Sequence, residues 1–268
     1  TWFRVGSRHE KKGKTGLAHL FEHLMFNETK ALPAGRFDKL LERAGAETNA
    51  ATWTDWTYYY ENIPSDQLAL IVKLEAERMH NLVLRDKPVA SEKEVVANER
   101  RYRVEDDVEG TISEQLWAHA FRVHPYHHPT IGWMDDILNF TPEDCRAFYR
   151  TWYAPNNATL VLVGDVDYAH LLPLLLKHYG ELKPAAIPDL ALPAEPEQTE
   201  ERFGTVPSYS ADTTAARFSA WERRRKFLEH YYDALRRFIS GEWTAEFPPG
   251  TWLMRVRFGV SCCPLPAT

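Results

Sequence analysis

GLAHLFEHLMF, residues 16–26, sets His19 and His23 four positions apart with Glu22 between them. Leu17, Leu20, Phe21 and Leu24 recur at helical spacing, so a helix is expected from about Thr15 or Gly16 to Asn27. On a helix, positions i and i+4 project from one face, one turn apart. Two imidazoles so placed can both reach a single Zn²⁺ at roughly 2.1 Å. Glu22 falls on the same side, where a general base would take the proton of a metal-activated water. Such a centre still needs a third protein ligand and an open fourth position. The pattern alone leaves a second reading open, a buried helix whose histidines are packing residues.

The bulk composition narrows the field. The chain has 268 residues, 44% of them hydrophobic, enough for one large domain or two smaller ones with a real core. Its net charge of −6 lacks the basic stripe of a nucleic-acid binder. Cys145, Cys262 and Cys263 form neither a disulfide framework nor a C-x-x-C zinc knuckle. No apolar run approaches a membrane span. The opening TWFRVGSRHE has no basic n-region or apolar h-region and reads as a strand already under way, as in a fragment or processed form.

Helical and strand patterns alternate through about residue 182, which predicts an α/β layered domain. A short helix fits GRFDKLLERAG with Gly45 as its stop, and TNAATWTDWTYYYENI suits paired strands. Trp53, Trp56 and Tyr58 to Tyr60 are read as sheet packing. Ser65 and Asp66 are expected to cap a helix to about Val83. Further helices are expected over about 91–108 and 111–123. Thr141 and Asp144 form a capping box with Pro142 at the first helical position. NATLVLVGDVD reads as a buried strand, and residues 167–178 as a helix closed by Gly180.

Beyond Lys183 the texture changes. Four prolines between 184 and 196 mark an extended linker over 184–204. Residues 201–268 carry +3 against −9 over the first 200. Residues 215–241 keep helical period, and the final GTWLMRVRFGVSCC has strand character without an evident pairing partner.

The third ligand should be a carboxylate or histidine on another element. ASEKEVVANERRYRVEDD offers Glu92, Glu94, Glu99 and Glu105. Glu92 and Glu99 lie two turns apart on one face, and Glu94 points elsewhere. They matter only if that helix packs beside the first, since an isolated acidic run is usually a solvated face. His119, His124, His127 and His128 compete as ligands, but HPYHHP is a proline-pinned loop without helical spacing.

The longer pattern resembles the pitrilysin/insulinase family of zinc peptidases, the inverzincins. VGSRHE with TGLAHLFEHLMF resembles the family's opening strand, loop and zinc helix. AGAETNAATWTDWTYYY resembles its G-x-x-x-N-A-x-T stretch, and SEKEVVANER the helix that donates the distal glutamate. HPYHHPTIGWMDDI resembles the P-Y-x-x-P-x-I-G loop. FYRTWYAPNNATLVLVGDVD resembles the entry to the second half-domain. The likeness is colinear over about residues 3–205.

The resemblance implies an antiparallel-rich mixed α/β half-domain of the pitrilysin type. Residues 1–140 would be the zinc-binding subdomain and 141–183 the start of the second half-domain. Residues 205–268 would be a divergent tail, truncated or frameshifted. It implies one Zn²⁺ per chain on His19, His23 and Glu99, with Glu22 as base and Glu92 supporting the site from outside the ligand set. Glu99 follows His23 by 76 positions, one fewer than the family's usual gap. Asn49, Ala50 and Thr52 would bind a peptide or unfolded protein as an added strand. The family completes its site with a second homologous half, which supplies an arginine and a tyrosine. The chain would then need that half or a partner subunit. The alternative is a non-catalytic zinc-binding or structural subunit of a heterodimeric complex. A periplasmic or otherwise exported location is compatible with the resemblance.

Overall fold

The computed structural model describes residues 1–199, 202–206, 216–219 and 252–257. They fall into two compact units. The first comprises Thr1–Ala97, Thr130–Leu190 and the described part of 251–268; the second comprises Asn98–Pro129 and the described part of 191–250.

In the first unit an antiparallel sheet is covered by helices. Its strands are β1 (Trp2–Phe3), β2 (Glu47–Thr52), β3 (Thr57–Asn62), β4 (Ala158–Gly164) and a strand at Trp252–Arg257, in the order β2-β3-β1-β4 and then 252–257. The Thr- and Tyr-rich hairpin predicted from the sequence is β2–β3, in register Asn49↔Tyr60 and Thr52↔Thr57. Trp2 of β1 stacks on Tyr58 with ring centroids 4.5 Å apart and meets Trp56 at 5.1 Å. Tyr59, on the opposite face, is fully buried, whereas Trp53 is exposed and is not a packing residue. The C-terminal strand finds its partner in β4, a pairing that local sequence pattern could not reveal.

Helix α1 (Leu17–Leu24) lies against β2 and β3. Leu17, Leu20, Phe21 and Leu24 are each at most 5% exposed. Burial of each such side chain contributes about 2 kcal/mol. Helix α2 (Arg36–Arg43) ends before Gly45, whose φ of 70° is the left-handed stop expected there. Helix α3 (Leu68–Asn81) follows a 3₁₀ turn at Ser65–Gln67, and neither Ser65 nor Asp66 caps it. Helix α4 (Asp86–Arg100) begins five residues earlier than expected and gives way to a π-helical stretch, Arg101–Glu105. After the second unit's helix come α6 (Met134–Leu138), α7 (Pro142–Trp152) and α8 (Tyr168–Tyr179). The α7 capping box is present: Asp144 N donates to Thr141 Oγ1 and Thr141 N donates to Asp144 Oδ2. Asp167 caps α8 by accepting from Ala169 N.

The second unit holds α5 (Val108–Ala120), capped by Asp107, and the two-stranded pair β5 (Phe203–Val206) and β6 (Ala216–Ser219). The strand at 252–257 is β7. The predicted linker has no helix or strand through residue 199, yet it is tied down. The Glu195 carboxylate accepts from the backbone N–H groups of Arg122, Val123 and His124 at 2.7–2.9 Å. The helix expected over 215–241 coincides at its start with β6; the remainder lies outside the described residues.

Candidate metal centre

Helix α1 starts from an unusual cap. Gly16 has φ 93°, and a Cβ there would sit 2.4 Å from Ile131 O. No side chain can occupy that N-cap position, so the orphan N–H groups of the first turn need another acceptor. Glu10 supplies it: its carboxylate accepts from Gly16 N at 2.8 Å and from Ala18 N at 2.7 Å. Thr15 ties the same corner to α6, donating to Asp136 Oδ2 from both N and Oγ1 while Oγ1 accepts from Trp133 N. Sequence reading passed over Glu10. The signal available was a glycine where a polar N-cap residue is usual.

One turn further on, His19 is buried and His23 half-buried, their ring centroids 5.0 Å apart. Glu22 is half-buried beside them on the same helix.

Helix α4 is continuous from Asp86 to Arg100 and plants Val89, Val96 and Ala97 in the core that α1 also fills. That packing meets the condition under which its glutamates matter. One ligand atom each from His19, His23 and Glu99 lies within 4.8 Å of the others. Among the described residues, no other trio of metal-ligating side chains gathers in this way. Glu99 also faces Arg103 Nε at 3.1 Å, at the start of the π-helical stretch. Such stretches often accompany functional sites. Two imidazoles and one carboxylate form the donor set of a zinc centre with an open position, and their spacing fits a single ion.

Glu92, two turns before Glu99, lies on the His23 side. Its Oε2 is 3.7 Å from His23 Nδ1, an ion-pair distance beyond hydrogen-bond reach, and its Oε1 accepts from Asn27 Nδ2 at 3.2 Å. Glu94 is exposed, as its helical phase predicts. The competing histidines serve local structure: His124 Nδ1 accepts from Tyr126 N, and His119, in the last turn of α5, has Nδ1 2.7 Å from Gln115 O.

Strand β2 is the end strand of its sheet. Trp53 N donates to Trp56 O, which makes 53 and 56 a hydrogen-bonded pair. Alternation then turns the main-chain groups of Thr52, Ala50 and Thr48 away from β3. Asn49 Oδ1 accepts from the outward Ala50 N–H at 2.9 Å. Asn49, Ala50 and Thr52 therefore lie on a strand edge beside α1 that no other strand among the described residues pairs with.

Known proteins share this sequence and fold. Residues 1–133 match the family model described as Insulinase (Peptidase family M16), and residues 139–217 match the Peptidase M16 inactive domain. The chain is 39% identical over 208 residues to the zinc protease PqqE of Helicobacter pylori, covering 76% of this chain and 46% of that protein. The crystal structure of a protease from Helicobacter pylori superposes with a TM-score of 0.68 at 40% identity, over 74% of this chain and 48% of that one. The periplasmic protease PqqL from Escherichia coli shares the fold, with a TM-score of 0.64 at 22% identity over 90% of this chain and 29% of that one. The chain thus spans about half the length of the first of these relatives, or less. Sequence and fold together place the chain in the insulinase/pitrilysin family of peptidases, peptidase family M16.

Proposed function

We propose that this chain is the metal-holding half of a zinc endopeptidase that hydrolyses peptide or unfolded-protein substrates. The observation that supports it most is the convergence of His19, His23 and Glu99 within 4.8 Å. These three would hold one Zn²⁺ per chain. When bound, that ion supplies a Lewis acid that brings the deprotonation of water near neutral pH. Glu22, on the helix face between the imidazoles, takes the proton and returns it to the departing amine. Glu92, 3.7 Å from His23 Nδ1, places a carboxylate behind that imidazole and supports the site from outside the ligand set. A substrate strand joins the open edge of β2, where Ala50 and Thr52 present main-chain groups and Asn49 competes for one of them.

The relatives are about twice as long, which supports a second homologous half or partner subunit that completes the transition-state contacts. Residues 1–140 then act as the zinc subdomain, with the second half-domain starting at 141. Export is proposed by analogy with the periplasmic relative.

Peptide cleavage and zinc content, measured on this chain with and without the second half, test the reading. Glu22→Gln is expected to retain zinc and to lower kcat about 1000-fold or more, toward the upper end of the usual range for general acid–base catalysis because the same group also delivers the proton. Undiminished cleavage by that variant would refute the role of Glu22.

A further inference from the structure

Glu10 belongs to no ligand set, yet it is half-buried and spends both carboxylate oxygens on the first turn of α1. The segment that carries it is itself fixed. Ser7 N donates to Trp53 O, Arg8 N donates to Thr54 O, and Arg8 Nε pairs with Asp55 at 2.8 Å. The His9 ring meets Trp152 edge-on at 4.8 Å. Residues 7–10 therefore bracket two things at once: the end of the open strand β2 and the beginning of the helix that bears His19 and His23. A helix of eight residues is too short to hold its own geometry in water. At its other end, Tyr59 Oη donates to Phe21 O at 3.1 Å.

We infer that Glu10 is a positioning residue for the metal centre: by holding Gly16 N and Ala18 N it fixes the first turn of α1 and so presets the spacing of His19 and His23 before any ion arrives. The carboxylate is needed because both oxygens must accept. An amide at this place turns an N–H group toward one of the two backbone donors. The inference rests on the zinc reading of the site, and the experiment separates the two.

The zinc dissociation constant of the full chain is measured by chelator competition for the wild type, Glu10→Gln, Glu10→Asp and Leu41→Ala. Amide hydrogen exchange over residues 16–24 of the metal-free chain and the melting temperature are recorded alongside. Leu41 is buried on α2, away from this corner, and serves as a destabilised control. Wild type is expected to bind one zinc. Glu10→Gln is expected to weaken binding about 10- to 100-fold and to accelerate exchange over 16–24. Glu10→Asp, which keeps the charge and one acceptor contact, is expected to fall between. Leu41→Ala should melt lower with zinc affinity unchanged. Should the wild type bind no zinc, the functional reading fails. Should it bind zinc while Glu10→Gln binds equally well, or should Leu41→Ala lose as much affinity as Glu10→Gln at a comparable drop in melting temperature, the positioning role is overturned and the zinc reading stands.

Discussion

Arg78 shows how much a single side chain can hold in this fold. It is 1% exposed, donates to Glu61 at 2.7 Å and pairs with Glu75. Its guanidinium also lies 4.5 Å from the Tyr59 ring centroid and 4.9 Å from that of Phe37. Burial, and then Glu75, push Glu61 up to about 8, against the pull of Arg78. Replacing Arg78 by Met would leave two carboxylates without their cation in the core. That change is expected to cost about 3–5 kcal/mol in denaturant unfolding, and a Glu61→Gln, Glu75→Gln background should recover much of it. His9 makes a different demand. Burial, and then the charge of Arg8, lower its pKa to about 4, so the folded ring is neutral where the unfolded one takes a proton. Stability is therefore full above pH 6.5 and declines as pH falls toward 4. The loss amounts to about 3 kcal/mol by linkage. Unfolding curves at pH 7 and pH 4.5 should show it, and His9→Asn should flatten it.

At the scale of elements, the site depends on which surfaces meet. The sequence made α1 readable because its apolar period, its histidine spacing and its glutamate all agreed. Thr141 and Asp144 announced α7 just as clearly, because a capping box is local chemistry. The helix expected from about residue 91 starts at Asp86, with Pro88 in its first turn, where proline is tolerated. The partner of the 252–257 strand lies almost a hundred residues away in β4, and periodicity carries no information about pairing at that distance. Glu10 escaped for a related reason: its cap acts on a helix that begins several residues later, past a left-handed turn at Gly16. The open edge of β2 yields its own prediction. Ala50→Pro removes an outward N–H that the β3 ladder does not use, so the strand should survive. Zinc affinity should stay within about 2-fold of wild type. The kcat/KM of the complete enzyme should fall about 10-fold, the loss of roughly one hydrogen bond to substrate. Unchanged kcat/KM would remove β2 as the docking strand.

For the whole molecule, the length of the chain and the origin of the proposed metal ligands lead to separate expectations for binding and turnover. The relatives it matches are about twice as long, and the M16 matches end at residue 217. No helix among the described residues is long and apolar enough to cross a membrane. The proposed ligands His19, His23 and Glu99, by contrast, all come from two helices of this chain, α1 and α4. Zinc binding should therefore need no second half, whereas turnover should. The most direct test is zinc K-edge X-ray absorption on this chain alone, loaded with one equivalent of zinc, for the wild type and Glu99→Gln. The expected wild-type spectrum has two imidazole shells and a carboxylate oxygen, and the variant either loses the metal or loses that oxygen. A wild-type spectrum with sulfur or a single imidazole, or a Glu99→Gln spectrum identical to wild type, would contradict the account.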